Sequence, residues 1–208
     1  MSLTPTHSLK NTEQTRSGYS ACLQPPPERD LEWNEQGVDG SFRFLNRIWR
    51  LVQDMTETVK TATPPATPYD GPANGLDGDL KKLFQKTHLT IKKVSNDIEE
   101  RFHFNTAISA VMELVNMMYS IDLESARQTT AGSGVIRTAV ESVILLLSPI
   151  IPHVAAELWE TLGNEDGNLA ATPWPSFRED ALISDTCLVI AQVNGKLRGK
   201  LNIEANAD

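Results

Sequence analysis

A chain of 208 residues with 40% hydrophobic and 22% charged side chains can bury one sizeable core and has the make-up of a soluble globular protein. Its formal charge of −8 excludes a protein that is basic all over, but not one with a local basic face. Two cysteines, Cys22 and Cys187, exclude a disulfide scaffold and a cysteine-based metal cluster, and fit a reducing, cytoplasmic setting.

Residues 1–25 are rich in Ser, Thr, Asn and Pro without a sustained period, and are expected to be a disordered leader. "PPERDLEW" (26–33) reads as an extended lead-in with Leu31 and Trp33 as plugs. Asp39 or Ser41 can cap a first helix, on which Phe42, Leu45, Trp49 and Val52 share a face widened by Ile48 and Met55. Residues 61–78, dense in Pro and Gly, read as a mobile linker. Asp79 then caps a second helix with Leu80, Leu83, Phe84, Ile91, Val94 and Ile98 inward.

"RFHFN" (101–105) breaks the pattern and offers Asn105 as the next cap, ahead of an inward stripe of Ile108, Val111, Met112, Val115, Met118 and Tyr119. "RQTTAGSG" (127–134) reads as a turn. Residues 135–148 are apolar on nearly all sides, which predicts the central helix. Pro149 should end it, Pro152 should open another helix at its first position, and Gly163 should stop that one. After the proline-pinned "ATPWPSF" (171–177), alternating residues on either side of Asn194-Gly195 predict a hairpin. The fold class is thus mainly α: an antiparallel bundle of about five helices over 26–180, with a short β-hairpin over 181–208. The apolar run 143–159 is too short and too interrupted for a membrane span.

Catalytic constellations are wanting. His7, His88, His103 and His153 are scattered without metal-ligand spacing, and His153, on an apolar helix, reads as a core histidine. "AGSG" (131–134) lacks the preceding strand and following lysine of a phosphate loop. No catalytic residue, metal site or cofactor is assigned.

Charge is unevenly spread. Residues 105–180 hold three Lys/Arg against ten Asp/Glu, a net of −7, whereas residues 40–104 hold ten against eight, a net of +2. Arg43, Arg47 and Arg50 fall at spacings of four and three on one helical face. Lys81, Lys82, Lys86, Lys92, Lys93 and Arg101 decorate the second helix. Such faces can grip phosphates, or can simply be solvated surfaces with local ion pairs.

"PPERDLEWNEQGVDGSFRFLNRIWRLV" (26–52), "LLLSPIIPHVAAELWETLG" (145–163) and "VIAQVNGKLRGKL" (189–201) occur in the order seen in bacterial-type leucyl-tRNA synthetases, and "HLTIKKVSNDIEERFHFNTAISAVMELVN" (88–116) resembles the same family. The middle motif resembles valyl, isoleucyl and methionyl enzymes too; the first and last resemble the leucyl family more specifically. His-x-Gly-His and Lys-Met-Ser-Lys-Ser elements are not in this sequence. The resemblance therefore implies a C-terminal piece holding the anticodon-binding-type bundle, inactive alone, with ATP and Mg belonging to the parent enzyme.

It further implies tRNA-Leu and the catalytic core of the same polypeptide as partners, a monomeric cytoplasmic parent, no membrane, and a hairpin that begins a truncated C-terminal domain. The bundle is expected to support the tRNA body through its phosphates. The residues carrying this expectation are Arg43, Arg47 and Arg50, then Lys92 and Lys93, then Lys196, Arg198 and Lys200. Trp33, Trp49 and Trp159 are expected to pack rather than stack on bases. The alternative is a helical module whose basic face binds acidic protein, or the equivalent domain of a valyl, isoleucyl or methionyl enzyme.

Overall fold

A computed structural model describes the backbone of residues 35–61, 68–99, 103–164, 168–183, 186–193 and 196–204, and the side chains within 39–56, 68–99, 103–164 and 168–183. The leader, Leu31, Trp33, residues 62–67 of the linker and the Asn194-Gly195 turn lie outside the described residues. Six helices are described: α1 (Glu35–Thr61), α2 (Gly78–Glu99), α3 (Phe104–Ser120), the single turn α4 (Leu123–Ala126), α5 (Thr130–Leu147) and α6 (Pro152–Thr161).

The central helix is α5, which touches α1, α2, α3, α4 and α6, while α2 and α3 form the most extensively packed pair of helices. Its sequence explains the position. Val135, Ile136, Ala139, Val140, Val143, Ile144, Leu146 and Leu147 are buried around most of its circumference. By length and composition α5 could cross a membrane, but 72% of it is buried inside the bundle, so the apolar run forms a protein core.

Residues 127–129 do make a turn, but "TAGSG" (130–134) belongs to α5. Thr129 is the N-cap, its hydroxyl accepting from the Gly132 N–H at 3.0 Å. Gly132 is required there, because a Cβ at that position would stand 1.8 Å from the Ala126 carbonyl oxygen of α4. The other helix ends divide similarly between expectation and correction. Helix α5 stops two residues before Pro149, Pro152 opens α6, and Gly163 takes φ 93° just past its end. Asp39 and Ser41, expected as caps, sit inside α1, because that helix begins at Glu35.

The expectation of a buried His153 is not met. His153 is exposed, because Val154, Ala155, Leu158 and Trp159 make up the core-facing side of α6 and position 153 falls outside it. His88 is the buried one, only 4% exposed on α2. Phe42 is half-buried while Phe44 fills the core instead, and Tyr119 stands 44% exposed at the edge of its expected stripe.

Residues 174–183 form a strap along α2, running antiparallel to it. Trp174 Nε1 donates to Ser95 Oγ at 2.8 Å, the Lys92 ammonium lies 5.2 Å from the Phe177 ring centroid, and Gln85 Nε2 donates to the Ile183 carbonyl at 2.8 Å. Midway, the Arg178 N–H donates to His88 Nδ1 at 3.3 Å. The Arg178 guanidinium grips Asp180 in two bonds of 3.0 and 2.7 Å, and Asp180 also accepts from the Ala73 N–H at 3.1 Å.

Burial, helped by the Arg178 charge, pushes the His88 imidazole down to about 4 from its usual 6.5, against a weaker opposing pull from Asp180. The hydrogen bond from Arg178, joined by that from Ala73, holds Asp180 at about 2. Between about pH 6.5 and 4 the unfolded chain takes up a proton that folded His88 refuses. Its contribution to stability is full above that window and falls as pH drops through it, and the Asp180 contribution follows only below 3.8. The urea midpoint should therefore decline on acidification from pH 6.5 to 5, and His88→Gln should flatten that decline.

Among the described residues the strands are β1 (Thr186–Val193) and β2 (Lys196–Glu204), paired antiparallel as a two-stranded sheet from Thr186↔Glu204 to Val193↔Lys196. Ala191 faces Gly199 while Gln192 faces Leu197, so the register shifts at Arg198, which has no cross-strand partner.

Candidate functional site

The cations expected on α1 stand where their spacing places them. Arg43, Arg47 and Arg50 are all exposed, whereas Phe44, Leu45, Ile48, Trp49, Leu51 and Val52 between and around them are buried. A 3.6-residue period makes this separation: positions 44, 48, 51 and 55 point inward, and 43, 47 and 50 cannot follow them. Among the described residues no carboxylate lies within ion-pair distance of these three guanidinium groups; the pairs that do form involve other cations.

Arg47 has an aromatic neighbour instead. Its guanidinium carbon lies 4.9 Å from the Tyr119 ring centroid, and Tyr119 Oη donates to the Arg47 carbonyl at 2.8 Å. Partial burial raises the Tyr119 pKa, opposed by the Arg47 charge and aided by Asp54.

The lysines of α2 are arranged differently. Lys82 pairs with Asp79 at 2.9 Å, and Lys86 reaches across to Glu113 of α3 at 2.6 Å, a bond that lowers the Glu113 pKa. Lys93 pairs with Asp97 at 3.0 Å. Asp97 is itself buried and accepts from the Thr106 hydroxyl at 2.7 Å, so Lys93 neutralises a carboxylate that ties the α2–α3 corner together. Lys92 carries no carboxylate partner among the described residues and lies over Phe177 of the strap. Lys86, Leu89, Lys92, Lys93, Asn96 and Asp97 line a shallow groove of about 400 Å³.

The α1 arginines and the Lys92–Lys93 pair therefore mark opposite ends of α3. Tyr119, which marks the arginine group, and Thr106, which marks Lys93, lie thirteen residues apart on α3, roughly 20 Å at 1.5 Å per residue. Lys196, Arg198 and Lys200 fall on β2, with Arg198 at the register shift; their side chains lie outside the described residues.

Three guanidinium groups spaced at four and three residues, exposed and without acidic partners among the described residues, can hold successive oxyanions bidentately. The lysines, mostly paired already, would have to break an ion pair to do the same. Trp49 and Trp159 are buried core residues, so neither offers a stacking face. Among the described residues no group of three or more His, Cys, Asp or Glu could hold a metal ion. Sequence reasoning missed Tyr119 as a surface residue because its position borders the Val115–Met118 stripe; its hydroxyl was the only signal that could have moved it outward.

Residues 81–208 match the family described as the anticodon-binding domain of tRNA ligase. The chain is 55% identical over 188 residues to leucine–tRNA ligase of Desulfatibacillum aliphaticivorans, covering 90% of this chain and 21% of that protein. It is 52% identical over 185 residues to leucine–tRNA ligase of Desulforapulum autotrophicum, covering 88% of this chain and 21% of that one. The chain thus spans about a fifth of the length of the curated relatives it matches. The fold is that seen in the agnB2 LeuRS of Agrobacterium radiobacter K84, whose crystal structure is a ternary complex with tRNA and LeuAMS. That match has a TM-score of 0.76 at 24% identity, covering 99% of this chain and 25% of that one.

Proposed function

Since the chain belongs to the anticodon-binding domain family of tRNA ligases, in its leucyl branch, we propose that the bundle positions tRNA-Leu for leucylation by the catalytic core of the same polypeptide. The bundle itself performs no chemistry. It acts as a rigid surface that grips the tRNA body through backbone phosphates, fixing orientation without reading sequence. The observation that carries this reading is the arginine face of α1: Arg43, Arg47 and Arg50, exposed together and free of carboxylates among the described residues.

Lys92 is the second contact, at the other end of α3. Lys93 contributes less, because binding RNA through it means releasing Asp97. Lys196, Arg198 and Lys200 supply a further, peripheral contribution. The parent enzyme is a cytoplasmic monomer in this reading. Its ATP and Mg belong to the catalytic core: the residues present here do not fit them, having neither a metal-binding cluster among the described residues nor a glycine-rich phosphate loop in the sequence.

Titrating the 208-residue chain with a tRNA-Leu transcript, in parallel with a polyglutamate peptide, tests the reading. Phosphate contacts predict binding at about 50 mM salt that weakens steeply by about 200 mM, with a log–log slope of about 0.7–0.9 per phosphate. Binding should also discriminate poorly among tRNAs, since phosphates carry no sequence. No binding at low salt, or equal affinity for the peptide without a salt effect, would overturn it in favour of an acidic-protein module.

A further inference from the structure

Tyr119 is an odd residue for its place. It ends α3 with 44% of its surface exposed, although its stripe neighbours Val115 and Met118 are completely buried. Both of its binding groups are directed at a single residue of another helix. The hydroxyl donates to the Arg47 carbonyl at 2.8 Å, using the lone pair left over by the α1 helix ladder, and the ring lies 4.9 Å from the guanidinium carbon of the same residue. Arg47 is the middle member of the exposed trio.

A free arginine side chain samples many rotamers and loses that freedom when it grips a phosphate. Stacking on an aromatic face removes part of that freedom beforehand while leaving the guanidinium edge, where the donors are, open to a ligand. Neighbouring Arg43 and Arg50 have no such ring among the described contacts.

We propose that Tyr119 is a positioning residue for Arg47, holding its guanidinium in a preset pose for a backbone phosphate of bound RNA. This rests on the phosphate-contact reading above and adds to it a residue on a different helix that does not itself carry charge. The ring fixes the guanidinium, and the hydroxyl bond to the α1 backbone adds a smaller share. Arg47 therefore contributes more to binding than Arg43 or Arg50, although all three carry the same charge.

The test is a double-mutant cycle on the 208-residue chain, reading tRNA-Leu transcript affinity and its salt dependence, with circular dichroism as the folding control. Tyr119→Leu should weaken binding about fivefold at low salt and lower the salt slope by less than about 0.7, because the Arg47 charge remains. In the Arg47→Ala background the same change should do nothing further. Tyr119→Phe, which keeps the ring, should retain most of the affinity and the wild-type slope.

Three results would overturn the proposal: unchanged binding in Tyr119→Leu, an equal loss in the Arg47→Ala background, or Tyr119→Phe falling to the Tyr119→Leu level. Failure of the underlying reading has a separate signature. There, Arg47→Ala alone would leave both affinity and salt slope unaltered.

Discussion

Replacing Phe84 with alanine is expected to destabilise the folded chain by about 3–5 kcal/mol, a large share of the stability of any single domain. Phe84 is fully buried on α2 and joins three parts of the structure. Its ring meets Tyr69 edge-on at 5.3 Å, meets His88 at 4.4 Å, and lies 5.3 Å from the Arg178 guanidinium carbon of the strap. Tyr69 in turn donates its N–H to Thr138 of the central helix at 2.9 Å. An alanine leaves a cavity that none of these can fill, because each is held from another direction.

Urea unfolding should show the lowered midpoint. Hydrogen exchange should show the amides of 174–183 losing protection before those of α5. A Phe84→Ala midpoint within about 0.5 kcal/mol of the parent chain, the range of ordinary surface changes, would mean that the Phe84–His88–Arg178 contact does not join strap to bundle.

The second large effect is on binding. Reversing all three α1 charges together, Arg43→Glu, Arg47→Glu and Arg50→Glu, should weaken tRNA-Leu transcript binding about a hundredfold or more at about 50 mM salt. The three side chains are exposed and have no carboxylate partner among the described residues, so the thermal midpoint should move little. Loss of binding with an intact fold is the expected pair of results. Intact binding with an intact fold would remove α1 as the docking face.

Most of the bundle was legible in the sequence because a helical period and proline positions leave few choices. Pro149 and Pro152 bound the α5–α6 bend from both sides, and an uninterrupted apolar run can sit only at the centre of a bundle. The arginine face followed from spacing alone. Less legible were features that depend on what lies across a contact. His88 and His153 both sit on amphipathic helices, and only the strap, arriving from ninety residues away, explains why His88 is the buried one.

The lysines show the same limit. Lys93 reads as a free cation until Asp97, one turn on, is found buried and bonded to Thr106. "TTAGSG" reads as a turn because its glycines are poor helix formers; the close approach of the Ala126 carbonyl gives Gly132 a reason to stand in a helix. One expectation had to be divided. The α1 arginines and the Lys92–Lys93 pair lie at opposite ends of α3, and only the arginines are all free of acidic partners among the described residues.

That asymmetry allows a direct measurement. The slope of log affinity for a tRNA-Leu transcript against log salt can be compared among the parent chain, an Arg43→Gln, Arg47→Gln, Arg50→Gln variant and a Lys92→Gln, Lys93→Gln variant. Neutralising the three arginines should lower the slope by about 2 to 2.7, or 0.7–0.9 for each lost phosphate, and neutralising the two lysines should lower it by less than about one. An unchanged slope in the arginine variant, or a larger fall in the lysine variant, would contradict the account.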